Sequence, residues 1–492
     1  MTKRFPVHGK GRLMNIIPEK NNTKIMNYFC TWFHQAHVSR GRCAPDCINE
    51  DTMFRGEDAW CRLFPEIRDE LYFVMDDGWD VPFRADTPGG KLECEYYKSL
   101  EPHPSKFPSL HGTPAEKLSQ LNERVKAEGW HGLGLWIATN AYKNSRPAEY
   151  HAPDREIEEW WRERILNSRE AGINYWKADW GHSSNMHLRR MMTELGHRYH
   201  PELLIEHGRG HAPYNGNAKP GDCRTIWDEQ FYCMMTGWSL FSDVLRTYDV
   251  AELENATTLD RIETYARTAR GVLNCEHLVY MGAVLGCALG LMLSPVNSKA
   301  GLEPVAAVRW HRAAPPFAGG EVHASEKLLT EKHYLDRPTW YYEDGPRDLY
   351  QQAAAVVSRR TALPAVLNGE EEWIPFVAAS LNPSGAYSVG TFRRQSDNAE
   401  TVLPDVVCSP ELPSEKIGVF GNFGSVKFDF ARTGRRVSRV AAQGLIRGDG
   451  ADITDECIAD DGSISLSGEL IHKIFKTEDQ SEPAVMLAVE FL

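Results

Sequence analysis

Long apolar runs are missing from this sequence. No apolar stretch reaches the ~18 residues that a helix needs to cross a bilayer, and residues 1–22 lack the apolar segment of an export signal. A surplus of positive charge is also missing, since the formal net charge is −13. Because phosphate binding relies on clustered Lys and Arg, this charge argues against nucleic acid or an anionic membrane as a partner. We therefore expect a cytoplasmic protein.

Regular cysteine spacing is absent as well. The eleven Cys are an odd number, and Cys43 and Cys47 are the only close pair. A C-x3-C pair without a second pair at zinc-ribbon spacing is a weak metal signal. We therefore expect reduced thiols, no metal and no cofactor. No Gly-rich phosphate loop follows the first apolar run either, which argues against a nucleotide-binding doubly wound sheet.

Length and composition predict two globular domains. At 492 residues the chain exceeds the usual size of a single core, and 42% hydrophobic with 25% charged residues is ordinary for a globular protein. Residues 1–364 alternate short apolar runs with longer helical patterns, which predicts a (β/α)8 TIM barrel. Residues 365–492 show period-two segments between frequent turn residues, which predicts a C-terminal antiparallel β-sandwich.

Periodicity and end signals place the expected elements. The predicted barrel strands are 26–33, 71–75, 133–137, 174–181, 203–205, 240–241 and 288–293. The predicted helices are 57–67, 113–129, 154–171, 186–199, 258–284 and 349–359. Thr113 and Glu116 resemble a capping box, and Gly129 is a suitable stop for the helix that they begin. The eighth strand is expected between residues 327 and 342.

The end of the fourth predicted strand, 174–181, carries the strongest chemical signal. Lys177 and Asp179 are two residues apart, so on a strand both side chains point to one face. An ammonium beside a carboxylate favours the ionised carboxylate, which suits a nucleophile or an electrostatic stabiliser. A structural ion pair that closes the strand is an equal alternative at this point.

Carboxylates follow three predicted strands, at Asp76 with Asp77, at Asp179 and at Asp243. The carboxyl ends of barrel strands converge on one mouth, and two carboxylates facing each other across a substrate are what glycosidic bond cleavage requires. A single Asp at a strand end is more often a turn residue, but three in this pattern favour a site. The fourteen Trp offer flat faces on which sugar rings stack.

These residues resemble a known family. Asp76-Asp77-Gly78-Trp79, Gly134-Leu135-Trp136, Tyr175-Trp176-Lys177-Ala178-Asp179 and Phe241-Ser242-Asp243 are similar to motifs of the clan D glycoside hydrolases, the retaining α-galactosidases of families 27 and 36. The likeness covers about residues 26–249. It implies that Asp179 is the nucleophile, that Asp243 is the acid/base, and that Lys177 has an orienting role. Asp249 is the alternative acid/base, because Val244-Leu245-Arg246-Thr247-Tyr248-Asp249 stands where an acidic run is expected. The likeness also implies sugar contacts by Trp32, Asp76, Asp77, Trp79 and Trp136.

The chain departs from the family after the fifth strand. Glu206-His207-Gly208-Arg209-Gly210-His211 replaces the Cys- and Gly-rich loop found in many family 36 enzymes. We expect Glu206, His207 and Arg209 to bind sugar hydroxyls. A metal site formed by Glu206 with His207 and His211 is the weaker alternative.

The sequence therefore predicts a retaining exo-glycosidase that acts on an α-galactoside-like terminal sugar through a covalent intermediate. Three alternatives remain: a sugar-binding pseudoenzyme on the same barrel, a metal-dependent sugar isomerase, and a Schiff-base aldolase that uses Lys177. The expected partner is a carbohydrate, and self-association is left open.

Overall fold

The protein is represented by a computed structural model that describes residues 7–8, 12–13, 15–20, 25–39, 44–82, 98–138, 154–178, 186–207, 244–246, 272–273, 278–292, 302–316, 328–331, 356–368, 376–392, 394–395, 403–459, 461–476 and 481–492. None of the helices in these ranges is long and apolar enough to span a bilayer.

The described strands, numbered in chain order, are β1 Val7–His8, β2 Arg12–Leu13, β3 Tyr28–Cys30, β4 Tyr72–Met75, β5 Asp80–Pro82, β6 Lys98–Pro102, β7 Gly132–Ile137, β8 Tyr175–Ala178, β9 Leu204–His207, β10 Val244–Arg246, β11 Val272–Leu273, β12 Ala288–Leu291, β13 Leu328–Glu331, β14 Val356–Arg359, β15 Ala365–Val366, β16 Phe376–Leu381, β17 Tyr387–Phe392, β18 Arg394–Gln395, β19 Asp405–Cys408, β20 Lys416–Phe420, β21 Ser425–Phe428, β22 Val437–Gly444, β23 Ala451–Asp452, β24 Ile464–Ser467 and β25 Ala484–Phe491. The described α-helices are α1 Trp32–Ser39, α2 Glu50–Phe54, α3 Pro114–Ala127, α4 Asp154–Glu170, α5 Met186–Tyr199, α6 Leu278–Leu285, α7 Glu303–Trp310, α8 Thr454–Cys457 and α9 Gly468–Phe475.

The N-terminal part is built on a curled parallel sheet with the spatial order β10-β12-β3-β4-β7-β8-β9. This order is a circular permutation of the chain order, because the last strand in sequence, β12, lies beside the first, β3. Such an arrangement is typical of a (β/α)8 barrel, whereas a doubly wound sheet reverses its strand order in the middle. The predicted fold class is confirmed, with seven of the barrel strands among the described residues.

The two faces of the barrel sheet pack differently. Phe29 on β3 faces the outer layer, where its ring lies 5.8 Å from Phe73 and 5.9 Å from Trp130. Tyr28 and Tyr175 point to the other side, with ring centroids 5.3 Å apart. Since side chains alternate along a strand, these contacts separate a barrel interior lined by tyrosines from an apolar outer layer under the helices.

Local patterns located several elements correctly. α3 begins at the predicted capping box, because the Thr113 hydroxyl accepts from the Glu116 N–H at 3.2 Å and Glu116 accepts from the Thr113 N–H at 2.8 Å. Gly129 follows with φ +96°, a conformation that favours glycine. Helices α4 and α5 and strands β4, β7 and β8 also lie where the sequence predicts them.

Four predicted elements are wrong in part or in whole. Residues 57–67 form turns and the short 3-10 helix Trp60–Arg62, because Phe64 precedes Pro65 and has φ +51°, which a helix does not allow. The strand expected at 26–33 is shortened to β3, since α1 begins at Trp32. β11 and β14 lie inside the helices expected at 258–284 and 349–359.

The predicted position of the eighth strand is also wrong. β12, expected as the seventh strand, pairs directly with β3 and so takes the place beside the first strand. β13, which lies where the eighth strand was expected, pairs with β14, and β14 pairs with β16 of the C-terminal sheet. That sheet therefore includes chain on both sides of residue 364, and a domain boundary at 364 stays a prediction.

Most of the described strands after residue 364 belong to two sheets, while β18 pairs with β11 in a separate two-stranded sheet. Of the two larger sheets, one has ten strands in the order β1-β2-β23-β22-β25-β20-β17-β16-β14-β13, and the other has the order β15-β19-β21-β24. The predicted β-rich layer is present, but the sheets are mixed rather than antiparallel, because β14 with β16, β17 with β20 and β19 with β21 run parallel. Alternate residues such as Val426, Phe428, Ile464 and Leu466 are buried, as the period-two pattern predicts.

The apolar helix α6 joins the barrel to the ten-stranded sheet. The last carbonyls of a helix have no partner within the helix, and here side chains of the sheet donate to them. Ser388 Oγ donates to Val284 O at 2.8 Å, and Arg359 Nη1 donates to Leu285 O at 2.8 Å. The C-terminal sheet therefore completes the hydrogen bonding of a barrel helix, and the two parts share one core.

Candidate functional site

Neighbouring barrel strands bring four of the predicted site residues to one level. Trp136 on β7 is level with Lys177 on β8, and Lys177 is level with Glu206 on β9. Asp76 directly follows β4 and reaches Lys177 with its side chain. We call Asp76, Trp136, Lys177 and Glu206 the carboxyl-end row, because they lie at the carboxyl ends of four adjacent strands, where barrel enzymes hold their active sites.

Asp76 and Lys177 form a buried ion pair. Lys177 Nζ donates to Asp76 Oδ2 at 2.6 Å, and the two side chains are 2% and 4% exposed. Asp76 Oδ1 accepts from the Asp77 N–H at 2.8 Å. A buried carboxylate is tolerated only when donors satisfy it, and these contacts fix its orientation. The sequence suggested Asp179 as the neighbour of Lys177, and Asp179 lies outside the described residues.

Cys30, the last residue of β3, contacts both members of this pair. Its Sγ donates to Asp76 Oδ2 at 2.9 Å and lies 3.5 Å from Lys177 Nζ. Burial raises the pKa of the Cys30 thiol well above its usual value, and the negative charge of Asp76 adds to this effect. Because only the thiolate is a strong nucleophile, Cys30 acts here as a hydrogen-bond donor.

Glu206 is fully buried and lies on β9, which extends to His207 rather than ending at residue 205 as predicted. Tyr175 Oη donates to Glu206 Oε2 at 3.2 Å. The Tyr175 ring packs between Tyr28 and Tyr72, at 5.3 Å and 5.0 Å, and burial raises the pKa of Tyr72 to about 12. Tyr175 thus supplies a hydrogen bond to Glu206, and Tyr28 and Tyr72 hold the ring of this donor in place.

The three tryptophans that are predicted to contact the sugar lie in different environments. Trp79 is 0% exposed and Trp136 is 1% exposed, and Trp79 Nε1 donates to Trp136 O at 3.0 Å. This bond links the chain after β4 to β7 beneath the row. Trp32 is the first residue of α1 and is half-buried. Sugar stacking by any of the three stays a prediction.

Several predicted residues cannot be placed. Asp179, Arg209, Asp243 and Asp249 lie outside the described residues, as does the side chain of His207. The strand predicted at 240–241 also lies outside them, and the described strand of this region is β10. In sequence Asp243 directly precedes β10, and Asp249 comes three residues after its end. Their roles remain predictions.

Three residues that contact the Asp76–Asp77 turn are not among those predicted from the sequence. Cys30 binds the Asp76 carboxylate, Thr31 accepts from the Asp76 N–H, and Gln35 donates to Asp77 O. Period-two alternation in β3 would have placed Cys30 on the interior face with Tyr28. Nothing local pointed to Thr31 or Gln35, since their partners lie more than forty residues away in sequence.

The row holds two acidic side chains and one ammonium, and thus contains both hydrogen-bond acceptors and a donor. Within the described ranges, no three His, Cys, Asp or Glu side chains are grouped so that they could hold a metal ion. Cys47 of the close cysteine pair is buried, and Cys43 lies outside those ranges.

Comparison with known proteins gives distant structural likeness only. No family model and no curated protein matches the chain. A GH27 β-L-arabinopyranosidase from Geobacillus stearothermophilus is similar with a TM-score of 0.36 and 10% identity over 85% of this chain and 88% of that chain. A Bacillus halodurans protein with a proposed α-N-acetylgalactosaminidase activity gives 0.38 and 9% over 97% and 99%. An α-amylase from Geobacillus thermoleovorans gives 0.33 and 9% over 85% and 88%. The chain is thus distantly similar in structure to glycoside hydrolases.

Proposed function

We propose that this protein is a retaining exo-glycosidase acting on an α-galactoside-like terminal sugar. The observation that carries the proposal is the buried Asp76–Lys177 pair at 2.6 Å, in line with Trp136 and Glu206 at the carboxyl ends of the strands. Such a row presents fixed acceptors and a donor to sugar hydroxyls. Asp179, two residues beyond Lys177, is the proposed nucleophile.

The proposed reaction has two displacements. The Asp179 carboxylate attacks the anomeric carbon while a second carboxylic acid protonates the leaving oxygen, which gives a covalent glycosyl-enzyme and frees the aglycone. The second residue, now a carboxylate, then takes a proton from water as the water attacks the anomeric carbon and releases Asp179. Lys177 and Asp76 orient the sugar, and the reaction needs no cofactor.

The second catalytic residue is either Asp243 or Asp249. Because barrel sites lie at the carboxyl ends of strands, the position of Asp249 after β10 favours it over Asp243, which precedes β10 in sequence. Removal of the acid should reduce hydrolysis of natural glycosides far more than hydrolysis of nitrophenyl glycosides, whose leaving group departs unprotonated. Added azide should restore activity to the Ala variant of the acid/base. Whichever of Asp243→Ala and Asp249→Ala shows neither the leaving-group dependence nor the azide rescue identifies a residue that is not the acid/base.

The proposal is tested by a screen of aryl α- and β-glycosides, with the anomer of the product read by NMR. We expect hydrolysis of an α-galactoside-like substrate with retention of configuration. Asp179→Ala should lose several orders of magnitude in turnover while it stays folded, and the matched variant of the exposed Asp455, Asp455→Ala, should keep full activity. Sugar binding without turnover would instead indicate a pseudoenzyme, and inversion would refute the mechanism.

The ion pair of Lys177 also distinguishes the proposed glycosidase from a Schiff-base aldolase. An amine must be neutral to attack a carbonyl, whereas Lys177 donates to a buried carboxylate at 2.6 Å, an arrangement that favours the ammonium. Borohydride with a carbonyl substrate should therefore leave the mass of the protein unchanged. A reduced adduct on Lys177 would contradict this assignment.

A further inference from the structure

The first turn of α1 lies against the turn that carries Asp76 and Asp77. Thr31 Oγ1 accepts from the Asp76 N–H at 2.9 Å and donates to Gln35 Oε1 at 2.6 Å. Gln35 Nε2 donates to Asp77 O at 2.8 Å. Thr31 and Gln35 are both 0% exposed, so these bonds form a connected chain in the protein interior.

This chain fixes the backbone on both sides of the Asp76–Asp77 turn. Thr31 accepts from the Asp76 N–H on one side of the turn, and Gln35 donates to the Asp77 carbonyl on the other side. The Asp77 N–H then donates to Asp76 Oδ1, so the position of the backbone also sets the position of the carboxylate. In a low-dielectric interior such connected bonds reinforce one another, and loss of one partner leaves a buried polar group unsatisfied.

We infer that Thr31 and Gln35 are positioning residues that hold Asp76 and Asp77 in the orientation that binds the sugar. The inference rests on the proposed function. Neither side chain touches substrate in this scheme; each acts through the turn. A small displacement of binding groups can lower the rate substantially, and a misplacement of about 1 Å costs up to about 100-fold.

The test compares two replacements at Thr31 with a matched control. Thr31→Val keeps the shape and removes the hydroxyl, whereas Thr31→Ser keeps the hydroxyl. Thr391→Val removes a buried hydroxyl on β17 that lacks a hydrogen-bond partner among the described residues. We expect kcat/KM on the best glycoside to fall about 10- to 100-fold in Thr31→Val, with Thr31→Ser and Thr391→Val within about threefold of the unchanged protein.

A second measurement is independent of activity. Amide hydrogen exchange at Asp76 should accelerate in Thr31→Val, because the N–H loses its acceptor, while the amides of β7 stay protected. Gln35→Met removes the side-chain hydrogen bonds of Gln35 with Thr31 and with Asp77 O, and it replaces Thr31→Val if the latter does not fold. It should lower kcat/KM by a similar factor.

The outcomes separate the two claims. Lower kcat/KM together with faster exchange at Asp76, and rescue by Thr31→Ser, supports the positioning role. An unchanged kcat/KM in Thr31→Val and Gln35→Met overturns it, whatever the exchange result. If the unchanged protein neither hydrolyses nor binds any glycoside in the screen, the proposed function is refuted, and the positioning role is refuted with it. Faster exchange at Asp76 would then show only that Thr31 stabilises the turn.

Discussion

Removal of Lys177 from its buried ion pair should strongly destabilise the protein. Asp76 is only 3% exposed, and its carboxylate accepts from Lys177, Cys30 and the Asp77 N–H. Lys177→Met deletes the only positive charge among these donors and leaves a carboxylate that water cannot solvate. Breaking a buried pair in this way costs about 3–5 kcal/mol.

A double-mutant cycle measures the interaction energy between Asp76 and Lys177 directly. Asp76→Asn keeps the shape and removes the charge, so in the Asp76→Asn/Lys177→Met variant no ionised carboxylate remains at this position. We expect the double variant to be less destabilised than the sum of the single variants, with a coupling of about 2 kcal/mol or more. The free energy of unfolding is measured in urea by tryptophan fluorescence.

An exposed pair supplies the control. Lys473 and Glu456 form an ion pair on the C-terminal part, with side chains 63% and 47% exposed. Lys473→Met should change the free energy of unfolding by less than about 1 kcal/mol, because exposed pairs contribute little. If Lys177→Met costs no more than this control, or if the two single effects simply add, the reasoning from burial is refuted.

Three further predictions concern residues around the barrel. Burial lowers the pKa of His311 from 6.5 to about 3, so between these values only the unfolded state binds the extra proton. Stability should therefore decrease as the pH is lowered from 6.5 towards 3, by up to about 1.4 kcal/mol per pH unit, and His311→Gln should flatten this dependence in urea titrations from pH 7 to 4. The raised pKa of Cys30 predicts that iodoacetamide at pH 8 labels Cys30 only after unfolding, and rapid labelling of the folded protein, read by peptide mass spectrometry, would contradict it. Gly290→Ala places a Cβ against the buried Tyr28 hydroxyl and should cost about 1–3 kcal/mol by urea unfolding, whereas Gly132→Ala meets only ordinary contacts and should not.

The sequence alone predicted elements whose signals are local. The capping box at Thr113 and Glu116 fixed the start of α3, and apolar runs located β4, β7 and β8. The same patterns misplaced the helix expected at 57–67, where Phe64 before Pro65 takes a left-handed conformation. The apolar residues before Lys177 and Gly181 after it put Lys177 near the carboxyl end of its strand, and barrel topology implied that Asp76 would lie near the same mouth.

Only the tertiary structure decided which residues meet. It placed β12 beside β3 and assigned β13 to the C-terminal sheet, because strand order follows from packing across the whole chain rather than from any local pattern. It likewise paired Lys177 with Asp76 across 101 residues and added Cys30 from a third strand. Periodicity determines which side of a strand a residue occupies, whereas its partner depends on register and barrel closure, which are set by long-range contacts.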